Sequence, residues 1–163
     1  MQTKDAIKQT MGLSRHVLNA YFADMTDAEL LQRPGPGCNH LAWQIGHLIS
    51  SECGLIESIQ AGSAPELPAG FKEQHAKENA ASDNPADFFT KQQYQDLMAM
   101  VNAATVKLID SYPEENFDQP APEQFRSMFP SMGMMFVLVA THPMMHAGQF
   151  VPVRRALGKP VLI

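Results

Sequence analysis

Residues 39–60 read NHLAWQIGHLISSECGLIESIQ. Leu41, Ile45, Leu48, Leu55 and Ile59 recur there at steps of three, four or seven, the period of one helix face. Asn39 is a good N-cap, and Gly62 and Pro65 stop the run, so the stretch predicts one long amphipathic helix ending near Gln60. Three more segments carry the same signature. Upstream, Ile7, Met11, Leu18, Tyr21 and Met25 mark a stripe that predicts a helix from about Thr3 to Asp24. Thr26 and Glu29 then form a capping box for a short helix, which Pro34-Gly35-Pro36-Gly37 stops. Downstream, Thr90 and Gln93 make a second capping box, opening a helix to about Ser111 with Tyr94, Leu97, Val101, Ala104 and Leu108 as its stripe. The last helix is expected from Ser131 to Leu157, with Gly158 as its C-terminal cap. Arg154, Arg155 and Lys159 complement its dipole. No alternating run is long enough for a strand. Four amphipathic helices predict an all-α four-helix bundle forming one domain over residues 1–163. The one long connection, residues 62–89, is expected to be a crossover or a functional lid.

Composition narrows the function. The chain has 163 residues, 45% hydrophobic and 18% charged, ample for a core without disulfides. A diffuse net charge of -5 argues against nucleic-acid or anionic-membrane partners, which want basic patches. Cys38 and Cys53 read as reduced thiols of a cytoplasmic protein. The opening MQTKDAIKQT has no apolar core of a signal peptide, and the longest apolar run falls far short of the roughly 20 residues that span a bilayer.

Chemistry concentrates in the six histidines. His142 and His146 are four residues apart, a turn of about 400°, which puts both imidazoles on one face. Zinc peptidases use this spacing in H-E-x-x-H, but position 143 is Pro, so that reading fails. By spacing alone the favoured reading is two histidines that pack or hydrogen-bond on an apolar helix. His47 lies on the apolar face of the second helix and offers a third ligand from a facing helix, which is how bundles assemble metal sites. Gly46 beside it leaves room for close approach of a partner helix. His40 is about two turns, roughly 10 Å, from His47, too far to share an ion, and reads as a surface or cavity-rim residue.

Asn39-His40-Leu41-Ala42-Trp43-Gln44-Ile45-Gly46-His47-Leu48, His142-Pro143-Met144-Met145-His146-Ala147-Gly148-Gln149 and Arg154-Arg155-Ala156-Leu157-Gly158 together resemble the DinB/YfiT-like superfamily, over nearly the whole chain. The resemblance implies a four-helix bundle of up-down-down-up topology, with residues 62–89 crossing between helices two and three. It also implies a metal triad of His47, His142 and His146. Pro143 departs from the pattern, because a proline there frees a carbonyl near Val139 and is expected to kink the helix and tilt His142 from His146. A further family histidine, one turn before the pair, is Leu138 here.

Three neutral imidazoles leave a coordination position open, which suits catalysis, and fit zinc, nickel or iron. Such an ion ionises a water for hydrolysis or a thiol for transfer. The first expectation is therefore a thiol-dependent S-transferase acting on a small electrophile with a low-molecular-weight thiol. A metal-dependent hydrolase comes second, and a bundle that binds metal or a small ligand without turnover third. Gln149 is a candidate to orient His142 or a water, or to bond a neighbouring helix. Glu52 is a candidate second-layer partner or an ion-pair partner of Arg154 or Arg155. Trp43 is expected in the core or walling the pocket, and Met132, Met134, Met135, Met144 and Met145 are candidates to line an apolar cavity. No cysteine nucleophile is expected. The Met-rich last helix and the family resemblance together point to a homodimer.

Overall fold

In the computed structural model, which describes residues 1–162, the chain is all-helical. Four long helices carry it: α1 (Thr3–Phe22), α2 (Leu41–Ile59), α3 (Lys91–Ser111) and α4 (Met132–Ala156). Short helical turns fill the connections, and the β-type pairing among the described residues is an isolated bridge between Pro120 and Ser131. α1 lies chiefly against α4, and α2 lies between α4 and α3. No helix among the described residues is long and apolar enough to cross a membrane.

The helix ends follow local chemistry. Both expected capping boxes form, with the Thr26 amide donating to Glu29 Oε2 at 2.8 Å and the Thr90 amide to Gln93 Oε1 at 2.9 Å. Each satisfies amides that a helix start otherwise leaves without partners. α4 starts at the expected place, where the Ser131 side chain caps it, and Gly158, at φ +69°, takes the left-handed conformation just past its end. The cap of α2 differs from the expectation. It is His40 rather than Asn39, and its Nδ1 accepts from the Trp43 amide at 3.0 Å.

Two clusters form the core. One joins Leu18, Tyr21 and Phe22 of α1, Leu41, Ile45 and Ile49 of α2, Tyr94 and Val101 of α3, and Phe150 and Val153 of α4. The other joins Ile7 and Met11, Leu55 and Ile56, Leu108 and Ile109, and Met135, Phe136 and Val139 of the same helices. Burying each such aliphatic or aromatic side chain contributes about 1.5–3 kcal/mol. Arg154 is buried too, against the end of α1: it donates to the Tyr21 carbonyl at 2.9 Å and to Asp24, whose carboxyl it holds below the usual range.

The long connection is strapped onto α2. The Trp43 indole donates to the Ala76 carbonyl at 3.1 Å, and His40 Nε2 meets the Ser82 carbonyl at 3.2 Å. Arg33 donates to the Ala80 carbonyl at 3.1 Å and to Asp83 at 2.7 Å. His40 is therefore fully buried, not at the surface or a rim, and burial pushes its imidazole down to about 4. What approaches Gly46 is the ring of His75 from this connection, rather than a partner helix: a Cβ on Gly46 would lie 1.9 Å from His75 Cδ2. Hydrogen bonds pin both ring nitrogens of His75, to the Phe71 carbonyl and the Tyr94 hydroxyl, each at 2.8 Å.

Candidate metal centre

Halfway along the molecule α2 and α4 face each other. His47 is on α2, and His142 and His146 stand one turn apart on α4. One ring nitrogen from each lies within 4.8 Å of the other two. The rings converge without stacking on one another, with centroids 5.4 Å apart for His47 against each partner and 4.9 Å between His142 and His146. All three are half-buried.

α4 keeps its helical course through Pro143, although proline cannot donate to the Val139 carbonyl. The expected tilt of His142 away from His146 does not occur. Their Nε2 atoms are 3.2 Å apart. Two nitrogens bound tetrahedrally to zinc, each at 2.0–2.1 Å, stand about 3.3 Å apart, so the pair already has the spacing of two ligands.

The protonation pattern also fits. Gln44 Nε2 donates to the Asn39 carbonyl at 2.7 Å, which turns its Oε1 towards His146 Nδ1 at 3.0 Å. An amide oxygen only accepts, so Nδ1 carries the proton and Nε2 presents its lone pair. Burial, aided by neighbouring imidazoles, pushes His142 and His146 down to about 4, and burial with the nearby Lys77 lowers His47. All three rings are neutral near pH 7, the form that binds a metal. The Trp43 ring stacks on His47 with centroids 5.1 Å apart and planes within 5°. It is at once a core residue and a wall of the site.

The model of the DinB superfamily matches residues 11–150. The chain belongs to the DinB superfamily. The crystal structure of a conserved protein from Enterococcus faecalis is similar over 98% of this chain and 99% of that one, with 19% identity and a TM-score of 0.73. At that identity the likeness shows the fold alone. No curated protein sequence matches the chain.

In this DinB superfamily chain other expected neighbours of the histidines fall elsewhere. Gln149 is exposed on α4, and the glutamine bonded to the site is Gln44, three residues before His47. Its signal was a lone amide on an otherwise apolar helix face. Glu52 pairs with Arg15 of α1 and accepts from the Thr105 hydroxyl, not from Arg154 or Arg155. Met135 is buried in the core, whereas Met134, Met144 and Met145 are exposed, so the methionines of α4 do not line a shared cavity. Both cysteines are free, and burial raises the Cys53 thiol to about 11, which leaves it unreactive.

Proposed function

We propose that this chain is a metal-dependent enzyme that transfers a low-molecular-weight thiol to a small electrophile at one divalent ion, zinc, nickel or iron, held by His47, His142 and His146. The observation that carries the reading is the convergence of three neutral, half-buried imidazoles from two helices on one point. Three protein ligands leave room for a reactant, as catalytic sites do and closed structural sites do not. Such an ion, when bound, supplies the Lewis acidity that keeps a thiol or a water ionised near pH 7. The chain's own residues do the rest. Gln44 fixes the tautomer of His146, Trp43 fixes the plane of His47, and the helix turn from His142 to His146 sets the bite of the pair.

The surroundings favour sulfur over water as the nucleophile. Among the described residues no carboxylate joins the histidine cluster, and Glu52 is engaged by Arg15 and Thr105. Water ionised at such an ion also attacks as it is. Hydrolysis still wants an acid to protonate the departing alkoxide or amine, whereas a thiolate that displaces a halide ion needs no proton donor. The transfer forms a sulfur–carbon bond with the sulfur's electron pair while the bond from that carbon to its leaving group breaks, the bonding pair departing with the leaving group and the thiol's proton having gone to solvent. Rates against epoxides, aryl halides and esters, with and without glutathione, bacillithiol or mycothiol, test this. Turnover that requires thiol, and is lost on chelation and in His146→Ala, is the expected result. Ester turnover without thiol, inhibited by thiol, makes the protein a hydrolase instead; no turnover with metal bound makes it a binding bundle.

We further propose up-down-down-up order for the helices, supported by the two core clusters, which pair the start of α1 with the ends of α2 and α3 and the start of α4. An experimental structure with α3 reversed would contradict it. The partner we propose is a second copy of this chain. Met134, Val137, Thr141, Met145 and Gly148 recur along α4 at steps of three and four, a stripe whose methionines and valine are exposed. Sedimentation should give a dimer at micromolar concentration, and a clean monomer refutes it.

A further inference from the structure

The surroundings of the triad are short of negative charge. Among the described residues no carboxylate joins His47, His142 and His146. The charge that acts on His47 from outside the triad is a cation, Lys77. Three neutral imidazoles leave a divalent ion its full double charge, and no acid beside them offsets it.

The fold roots Lys77 next to the His47 ring. Its neighbour Ala76 accepts from the Trp43 indole at 3.1 Å, and the Trp43 ring lies flat against His47. Two residues back, His75 fills the space over Gly46 and is bonded at both ring nitrogens. The backbone that carries Lys77 is therefore fixed to the turn of α2 that carries His47. The Lys77 side chain is exposed. Among the described residues it makes no ion pair and no hydrogen bond, although Glu73 and Glu78 lie close in sequence. A cation held there, with no acid nearby, sets the sign of what the site receives. A ligand cation is repelled twice, and an uncharged ligand gains nothing from Lys77.

We propose that the thiol taken by this site carries a carboxylate, and that Lys77 selects it by meeting that carboxylate while the sulfur lies among the three histidines. This rests on the thiol-transfer reading above and adds to it the charge of the thiol. Lysine suits the task, because its ammonium is a point charge on a flexible four-carbon stem and follows a carboxylate without demanding one geometry. Lys77 determines specificity and takes no part in making the sulfur–carbon bond. Its contribution is bounded, since an exposed ion pair is worth a factor of at most about five and salt screens it.

The test is calorimetric titration of the zinc-loaded full chain with 3-mercaptopropionate, 3-mercapto-1-propanol and 3-mercaptopropylamine. These share a sulfur on a three-carbon chain and differ in the charge at its far end. Affinity should fall from the carboxylate through the alcohol to the ammonium at low ionic strength. Lys77→Met should shrink the advantage of the carboxylate over the alcohol about threefold to fivefold. High salt should shrink it too, and Lys77→Arg should keep it. The alcohol should bind Lys77→Met as it binds the wild type, which reports an intact site. An unchanged preference in Lys77→Met would mean that something other than Lys77 holds the carboxylate, and it overturns the proposal while leaving the thiol reading standing. Binding of none of the three by the zinc-loaded wild type overturns the thiol reading and this proposal with it.

Discussion

At the scale of single residues, Gln44 controls the site although it cannot touch the reacting groups. Its amide is clamped by the Asn39 carbonyl on one side and holds the proton of His146 Nδ1 on the other. Second-layer partners of ligating histidines commonly contribute ten- to hundredfold in metal affinity. Gln44→Leu, close in volume, should therefore weaken zinc binding by about ten- to hundredfold in a competition titration, while Gln149→Leu leaves it unchanged. Equal affinity in Gln44→Leu and wild type would remove Gln44 from the account. The sequence offered two glutamines three residues from a histidine, and beyond the apolar face around Gln44 nothing local separates them. Which one reaches an imidazole depends on how α2 and α4 are rotated about their axes, a tertiary quantity. The same holds for Glu52. Arg154 and Arg155 were reasonable partners by charge, but Arg154 is carried to the end of α1 and held by Asp24, leaving Arg15 to meet Glu52.

Among the elements, the connection of residues 62–89 behaves as a strap over α2, and Gly46 is where it lies closest. Alanine normally favours a helix over glycine by about 1 kcal/mol. Here the added Cβ would meet a ring pinned at both nitrogens, and overpacking costs about 1–3 kcal/mol. The clash should win. Gly46→Ala is expected to lose about 1–2 kcal/mol of stability in urea denaturation, and a gain would mean that His75 swings aside freely. The helices themselves were legible because periodicity and caps are local: Thr26, Thr90 and Gly158 each act where their chemistry said they would. The cap of α2 was not. Asparagine outranks histidine as a cap in general, and His40 takes the role because its ring is buried between Trp43 and the strap. The kink expected at Pro143 also fails to separate the histidines, since α4 stays helical across it with the proline buried against the core.

For the whole molecule, two core clusters hold α2 and α4 together, one enclosing His47 on α2 and resuming at Ala147 just past His146, the other ending at Ala140 just before His142, so the triad is positioned by the fold and not by a loop. That arrangement was readable from sequence in outline: three histidines at the right places on two apolar helices, in a chain with no competing cysteine or acidic cluster. What sequence left open was whether the three rings converge, because convergence depends on helix rotation and on the course of α4 through its prolines. They do converge. The reading of this chain as a metalloprotein stands or falls with the ion itself. Elemental analysis of the protein, purified and then equilibrated with zinc, nickel and ferrous iron in separate samples, measures it directly. One divalent ion per chain in the wild type, with stoichiometry falling well below one in each of His47→Ala, His142→Ala and His146→Ala, is the predicted result. Full stoichiometry in all three variants, or a wild type that retains no ion, would contradict it.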